Sequence, residues 1–389
     1  MKITKLSLAA IAAMTVATGA MADAAWDLNG QAVGYTQTID QSGNGDLFGS
    51  DSTYSAVGLQ LGATTKSLVG ALGAGVEVSS IHNNDGQAAG FYNGGGNAGT
   101  TSGGVSQAYL TYGTGKTSFK VGRQQLPKSL SPFAYSEGWT MFKNTFDAAL
   151  VANKDIEKTT LVYAFVKNGN RSIGAYANED SYAPLADDGV HMLTASTKAI
   201  PNVTLTGSAY QAGNNSGDTT MLWGDAKTKF GPVGVALQGG QISPDGADST
   251  TAVGAKVSGK VAMVNLSAAY TQVSSKGIAN ISNTTGIKSP LYTQMVLNNV
   301  GQYHARPGSK FTKLFAATKA GGGTVKVGYG MGTNKSSDAT DYSELDLMYV
   351  TKLTKDIKVF GAYILTNDDD VANGPKDNNF LRFWGRYSF

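Results

Sequence analysis

The sequence predicts an all-β chain, folded as an antiparallel, up-and-down β-barrel of about 18 strands that crosses a membrane. Three observations lead to this fold class. Apolar and polar residues alternate with a period of two along most of the chain. The connections between these segments are alternately short and long. No run of about 18 apolar residues occurs after residue 22, so no transmembrane helix is expected. A barrel of 16 strands is the alternative count.

The alternation can be followed from segment to segment. In the second segment, Val57 and Leu59 share one face and Gly58 and Gln60 share the other. Most segments have about nine to eleven residues, the length that a tilted strand needs to cross a bilayer. The predicted strands lie near residues 26–39, 56–63, 72–79, 105–112, 118–123, 145–154, 159–166, 190–198, 203–212, 219–229, 233–242, 250–257, 261–273, 310–319, 324–331, 342–352, 357–366 and at the C-terminus.

The connections indicate how the strands are joined. Short turns are expected at Thr65-Lys66-Ser67 and at 258–260, whereas 82–104, 167–189 and 274–309 are long. No segment between strands has the length and period of a crossover helix, so the sheet is expected to be antiparallel. Short turns at one end and long loops at the other are typical of barrels in bacterial outer membranes.

The first 22 residues predict a cleaved signal peptide. Lys2 and Lys5 precede an apolar run at 6–20, and Ala20-Met21-Ala22 is a small-x-small cleavage site. The barrel is then expected to comprise residues 23–389. Removal of the two lysines lowers the formal net charge from +3 to +1, which does not favour nucleic acid as a partner.

The residues for catalysis or redox chemistry are scarce. The chain has no cysteine, and its three histidines, His82, His191 and His304, are far apart in sequence. No nucleophile elbow and no histidine pair with metal-binding spacing is present. We therefore expect no enzyme activity and no cofactor. A hydrolase remains the alternative, since a catalytic triad is assembled in space rather than in sequence.

One long connection differs from the others in composition. Pro127 and Pro132 cannot donate ladder hydrogen bonds, so the strand that ends near Arg123 must stop there. The next strand begins near Thr145, and the residues between are rich in aromatic and charged side chains. We expect this loop, near 124–144, to fold into the lumen. An ordinary surface loop is the alternative interpretation.

The charges near this loop predict a narrow, charged passage. The candidate constriction residues are Arg123, Lys128, Glu137, Lys143, Arg382 and Arg386. Opposed charges across a narrow gap orient dipolar solutes and reject apolar ones. Alternation from Val121 places Arg123 on the outer face, so it faces inward only if the strand breaks at Gly122.

The last ten residues, FLRFWGRYSF, predict a strand that closes the barrel. Its aromatic face carries Tyr387 and Phe389 toward lipid, and its other face carries Arg382 and Arg386 toward the lumen. Every backbone group in hydrocarbon must be paired, so this strand is expected to pair with the first one. Tyr387 and Phe389 are the candidate assembly signal.

Four short segments of the sequence resemble a known protein family. Residues 121–127 (VGRQQLP), 144–146 (NTF), the terminal YSF and, more weakly, 288–293 (KSPLYT) resemble the outer-membrane porins of Gram-negative bacteria, particularly those of Campylobacter-type (epsilonproteobacterial) bacteria. The resemblance implies a location in the outer membrane, contact with its lipid and lipopolysaccharide, an inward-folded loop after the VGRQ strand and a homotrimer.

The expected function is a water-filled channel for passive diffusion of ions and small hydrophilic solutes. Seventeen carboxylates and only seven basic residues fall in the presumed outer connections. An acidic mouth attracts cations, so a mild cation preference is expected. A substrate-specific channel and a barrel that serves as an adhesin or surface antigen are the alternatives.

One acidic run is a weak candidate for calcium binding. Asp368, Asp369 and Asp370 are consecutive, and hard cations prefer oxygen ligands. A solvated loop is the alternative interpretation of this run.

Overall fold

The computed structural model describes residues 25–41, 46–49, 52–83, 101–138, 141–170, 182–284, 288–297, 303–334, 340–370 and 374–389. The predicted signal peptide at 1–22 lies outside these ranges.

Nineteen strands occur in the described part of the chain, and they form one antiparallel sheet. Eighteen of them are long and make up the barrel wall, which confirms the predicted fold class. The short strand β8 only pairs with the end of β7, while β9 pairs with the rest of β7. The strands are β1 (Asp27–Gln41), β2 (Thr53–Val69), β3 (Leu72–Asn83), β4 (Thr101–Thr114), β5 (Thr117–Gln124), β6 (Phe146–Asn153), β7 (Thr159–Asn170), β8 (Tyr182–Pro184), β9 (Gly189–Thr197), β10 (Val203–Gly213), β11 (Thr219–Phe230), β12 (Val233–Pro244), β13 (Thr250–Val261), β14 (Val264–Val273), β15 (Ser309–Ala320), β16 (Gly323–Asn334), β17 (Thr340–Lys352), β18 (Ile357–Asp370) and β19 (Gly374–Ser388).

The sheet closes on itself because β1 pairs with both β2 and β19. In the closing pair, Gln31 lies opposite Ser388 and Gln37 lies opposite Arg382. Closure leaves no sheet edge with unpaired N–H and C=O groups, which is the condition for a sheet that spans hydrocarbon. The predicted pairing of the last strand with the first is therefore present.

Neighbouring residues in the wall alternate sharply in exposure. Met192 is 1% exposed and Leu193 is 57% exposed, and Ala252 and Val253 differ in the same way, at 2% and 61%. The exposed members are apolar and lie on the outside of the barrel, where a soluble protein would carry polar side chains. A closed antiparallel barrel with this outer surface is the architecture of outer-membrane proteins. The protein therefore belongs in the outer membrane of a Gram-negative bacterium.

Two predicted turns are wrong. Residues 65–67 form an irregularity inside β2, where the register with β3 shifts between Thr65 and Val69. Residues 258–260 belong to β13, and the turn after them is at 262–263, where Ala262 has a φ of 50°. Polar and glycine residues in both places favour a turn when the sequence is considered alone. In a barrel wall they also fit a bulge or a paired strand position.

No helix in the described ranges is long and apolar enough to cross a membrane.

The C-terminal Phe389 contributes to barrel closure through both its backbone and its ring. Its N–H donates to the Gly30 carbonyl over 3.0 Å, and its own carbonyl accepts from the Gly30 N–H over 2.8 Å. The ring lies so close to Gly30 that a Cβ there would meet ring carbons at 2.5 Å. The ring centroid is also 5.5 Å from that of Tyr387. Phe389 therefore extends the closing ladder and covers it on the lipid side.

Deletion of Phe389 is expected to impair assembly, because two backbone hydrogen bonds and the aromatic cover of the closing pair are lost together. The measurement is the yield of folded, heat-modifiable protein in outer membranes. Phe389→Tyr, which keeps the backbone bonds and the ring, is the matched control and should assemble normally. An unchanged yield for the deletion would show that closure does not depend on this residue.

Candidate functional site: two inner loops in a charged lumen

The first inner loop, residues 125–145, connects β5 to β6 and packs against the inside of the wall. Phe133 is completely buried, with its ring 5.6 Å from that of Tyr210 and 5.4 Å from that of Trp223. Further along, Met141 and Phe142 pack against residues of β1 to β3, on another part of the wall. The loop therefore crosses the lumen between two well-separated parts of the wall.

The second inner loop, residues 274–308, connects β14 to β15 and also enters the lumen. Its Val296 N–H donates to Asp346 over 3.2 Å, and its Leu297 N–H donates to Glu344 over 2.6 Å. Lys313 of β15 donates to the carbonyl of Gln294 in the same segment. Three ionisable side chains of the wall thus hold one short stretch of backbone. Sequence reasoning assigned 274–309 to the outer surface and did not predict this.

A signal for the second inner loop was present in the sequence. Leu291, Met295 and Leu297 are apolar residues in a segment that was expected to face water. They are 1%, 3% and 2% exposed. The weak resemblance at 288–293 lies in the same segment. Buried apolar side chains in a loop indicate that the loop packs against protein.

Glu137 joins the two inner loops. Its Oε1 accepts the Asn283 side-chain N–H over 2.8 Å and the Lys288 backbone N–H over 3.1 Å. Its own backbone N–H donates to Asn144 Oδ1 over 2.6 Å, which fixes it within the first loop. The residue is 2% exposed. A charged group this deeply buried needs hydrogen bonds of this kind, and the bonds lock the relative position of the loops.

Further hydrogen bonds extend the contact between the loops. The Tyr135 N–H donates to Asn283 Oδ1 over 3.0 Å, and the Asn283 amide donates back to the Tyr135 carbonyl over 2.8 Å. Lys128 Nζ donates to the Ser289 carbonyl over 2.8 Å. The loops therefore form one body at the level where they cross the lumen.

Two lysines of the inner loops have lowered pKa values. Burial inside the lumen lowers the pKa of Lys128 to about 8, with the neighbouring charge of Lys288 adding to the effect. Burial likewise lowers the pKa of Lys288 to about 8, although Glu137 acts in the opposite direction. Both side chains carry a positive charge at neutral pH and lose it over the alkaline range in which ordinary lysines stay charged.

The arginines of β19 lie on the inner face, as the alternation of the terminal strand predicts. Arg382 is 4% exposed and donates through Nε to Gln37 Oε1 over 2.8 Å. Arg386 donates through Nη2 to the Met141 carbonyl of the first inner loop over 2.9 Å. Lys143 lies near Arg386, where both line the same recess.

Arg123 is held in the wall and does not meet the other candidates. The ladder continues through Gly122, which has a φ of 122°, and Arg123 lies opposite Asp147 in the register. Its Nε is 2.8 Å from Asp147 Oδ1, and its guanidinium lies 3.5 Å from the Tyr182 ring centroid. The ladder is unbroken at Gly122, and the assignment of Arg123 to the constriction stays a prediction. The other candidates, Lys128, Glu137, Lys143, Arg382 and Arg386, surround or belong to the inner loops.

Two recesses lie on opposite sides of the inner loops. One, of about 390 Å³, lies beside the closing strands and contains Lys143 and Arg386. The other, of about 490 Å³, lies half-way round the barrel beside β10 to β12 and contains Lys128, Asp225 and Lys227. Lys227 Nζ and Asp225 Oδ1 are 2.7 Å apart. Both recesses bring charged side chains to the lumen.

The structure describes only one side chain of the acidic run near the end of β18, that of Asp368. Asp368 accepts a hydrogen bond from the Tyr303 hydroxyl. The backbone of Asp369 and Asp370 continues β18, and their side chains lie outside the described residues. Within the described ranges, no group of three or more His, Asp or Glu side chains could hold a metal ion. The calcium hypothesis stays a prediction.

Solved structures of similar fold come from Pseudomonas and Acinetobacter. Pseudomonas aeruginosa OccK8 (OprE) aligns with a TM-score of 0.72 and 14% identity, over 94% of this chain and 98% of that one. OpdK of the same organism, solved with vanillate, gives 0.73 and 14%, over 93% and 99%. Acinetobacter baumannii OccAB1 gives 0.74 and 12%, over 95% and 99%. No family model and no curated protein matches the sequence.

This likeness shows the fold of the chain. The alignments cover almost the whole of both partners, so the 18-stranded barrel is shared from end to end. The shared fold agrees with the general resemblance to outer-membrane porins. The narrower resemblance to Campylobacter-type porins stays a prediction.

Glu137→Ala is expected to loosen the constriction, because Asn283 and Lys288 lose a shared buried acceptor at a cost of about 1–3 kcal/mol. Single-channel conductance should rise and become more variable between openings. Glu157→Ala is the matched control, since Glu157 is an exposed carboxylate beside Lys158, outside the lumen. Identical conductance in the two variants would contradict a role for Glu137 in holding the loops together.

Proposed function

We propose that the protein is an outer-membrane channel for passive diffusion of ions and small hydrophilic solutes, with a constriction formed by the two inner loops. The observation that carries this proposal is the buried Glu137 carboxylate, which ties the loops together inside the lumen. An 18-stranded barrel is too wide for wall side chains alone to fill. Loops held across the lumen therefore decide how wide the passage is.

The charges around the loops support selection by charge and dipole. Lys128, Glu137 and Lys288 belong to the loops, and Arg382 belongs to the wall. Opposed charges at a narrow point favour hydrated, dipolar solutes over apolar ones. Assembly as a homotrimer in contact with lipopolysaccharide belongs to the same proposal.

A channel specific for one solute class is the second candidate. Two charged recesses next to the inner loops favour it, because fixed charges in a recess can retain a solute. The structure of OpdK with vanillate shows that a barrel of similar fold accommodates an aromatic carboxylate. An adhesin or surface antigen is the remaining alternative, and such a protein would give no open channel.

The first experiment is single-channel recording with the purified full chain in a planar bilayer. A channel gives discrete conductance steps, and deletion of residues 128–142 should enlarge them, because the loop no longer crosses the lumen. The folded state of the deletion variant is checked by heat modifiability. Absence of conductance steps in the folded full chain would overturn the proposal, and steps of unchanged size in the folded deletion variant would place the constriction elsewhere.

A mild cation preference at low salt is expected from the acidic outer mouth. Asp187, Asp218 and Asp245 lie in its described loops and are solvent-exposed. Their attraction for cations falls as the Debye length shortens to about 3 Å at 1 M salt. The reversal potential across a KCl gradient, measured at low and high salt, tests this. An anion-directed potential at low salt would mean that the lumen lysines and arginines dominate.

Cation preference is also expected to increase between pH 7 and pH 9. Lys128 and Lys288, each with a pKa of about 8, are charged below that pH and neutral above it. Loss of two positive charges at the constriction favours cations. The measurement is the reversal potential at fixed KCl gradient, and the double variant Lys128→Met, Lys288→Met should show a flat response. An equally large pH effect in the double variant would assign it to other groups.

A further inference from the structure

A polar recess of about 390 Å³ lies beside the closing strands, where the first inner loop returns to the wall. Lys143 of the loop, Lys358 of β18 and Arg386 of β19 line it together. We propose that this recess binds solutes that carry a phosphate monoester, and that sugar phosphates are the solute class it suits. The inference rests on the proposed function, since the solute reaches the recess through the lumen.

The three cations of the recess have no carboxylate partner in the described part of the chain. Lys227, in the second recess, has such a partner, because its Nζ lies 2.7 Å from Asp225 Oδ1. Arg386 gives one N–H to a backbone carbonyl, and its buried Nε has no hydrogen-bond partner among the described residues. Lys143 and Lys358 are exposed to the water of the recess. Lys358 and Arg386 lie over the Trp384 ring, at 5.6 Å and 5.2 Å from its centroid, so their nearest described electrostatic partner is an aromatic ring rather than a carboxylate.

The acidic group of the recess does not offset these charges. Glu77 is the acidic residue among the described lining residues. It accepts a hydrogen bond from the Ser106 hydroxyl over 2.7 Å and interacts electrostatically with Lys120. Its charge is therefore already partly balanced by Lys120. A ligand for the recess has to be an anion, and preferably one with more than a single charge.

A phosphate monoester meets this requirement better than a carboxylate does. At neutral pH a phosphate ester on a serine, threonine or tyrosine side chain carries a charge of about −1.5 to −2 and three acceptor oxygens, and a sugar phosphate offers the same group. A carboxylate carries one charge on two oxygens. Arg386 has further guanidinium N–H groups besides the one that donates to Met141, and the two lysines supply mobile point charges. A phosphate group thus offers more negative charge and more acceptor oxygens to the three cations than a carboxylate does.

The remaining lining suits a hydroxylated carbon skeleton. Gln60 donates to Ser79 over 2.8 Å, and Ser79 and Ser106 continue this row of hydrogen-bonding groups over 2.9 Å. Gln31 lies next to Gln60 and also faces the recess. On the other side, the Trp384 ring is fixed by stacking on Phe360 at 5.3 Å. Amides and hydroxyls can bind sugar hydroxyls, and an aromatic ring can cover a sugar face.

The test compares three six-carbon solutes that differ in charge: glucose, gluconate and glucose 6-phosphate. The full chain is recorded in a planar bilayer at constant ionic strength, and the concentration of each solute that halves the mean KCl current is measured. Glucose 6-phosphate is expected to act at a concentration at least about tenfold below that of gluconate, and glucose should be weakest. Lys143→Gln and Lys358→Gln should each raise the half-blocking concentration of glucose 6-phosphate roughly tenfold, as loss of one charge-assisted contact implies.

Lys198→Gln, an exposed lysine between β9 and β10 that lines neither recess, is the matched control and should leave block by glucose 6-phosphate unchanged. Equal potency of gluconate and glucose 6-phosphate would overturn the proposal in favour of a site for any anion. Block that is unaffected by both Lys143→Gln and Lys358→Gln would overturn the location. If only the recess proposal is wrong, the KCl conductance steps are still observed. If the proposed channel function is wrong, no conductance steps are observed.

Discussion

The constraint on which the structure depends is that every backbone N–H and C=O group in hydrocarbon needs a partner within the protein. The sheet meets this constraint by closing β1 on β19, and the closing ladder extends as far as the bonds between Gly30 and Phe389. The apolar outer surface and the alternation along every strand follow from the same requirement, because a closed sheet in a membrane has one face in lipid and one in the lumen.

Closure with 18 strands creates a second problem, which the inner loops solve. The interior is too wide for wall side chains to meet in the middle. The loops fill it with a small apolar core around Phe133 and Leu291 and with buried polar ties. Glu137 joins the two loops through hydrogen bonds, and Glu344 and Asp346 anchor the second loop to the wall. The lumen is therefore organised like a protein interior near the loops and like a charged, hydrated surface beyond them.

The sequence predicted the barrel wall well, because the polarity of the residues in each strand depends on which face of that strand meets lipid. Alternation in segments such as 203–212 depends only on lipid lying on one side of the strand, so strand number and pairing could be inferred locally. The first inner loop could also be predicted, since Pro127 and Pro132 interrupt the strand pattern. Turn positions were harder to predict. Gly259 is a residue type that favours turns, yet it lies in β13 opposite Leu266.

The site was predicted only in part, because its contacts join residues far apart in the chain. The approach of 288–297 to Glu137 and Glu344 leaves no periodic pattern, and only the apolar Leu291, Met295 and Leu297 hinted at it. The predicted direction of the Arg123 side chain depended on the backbone at Gly122. Gly122 takes a positive φ but keeps the ladder intact. Lys358, which joins Arg386 and Lys143 at one recess, lies on the strand before the arginines and could be placed beside them only through the register.

The shared carboxylate of Glu137 has a mechanical consequence. Two loops that were anchored only at their own ends would fluctuate separately, and the passage between them would take many widths. Loops bonded to each other in the middle move as one rigid body, and the wall contacts at Glu344 and Asp346 restrain that body at its far side. Thermal motion then changes the position of the whole assembly more than the gap within it, so the aperture keeps its size while solutes pass.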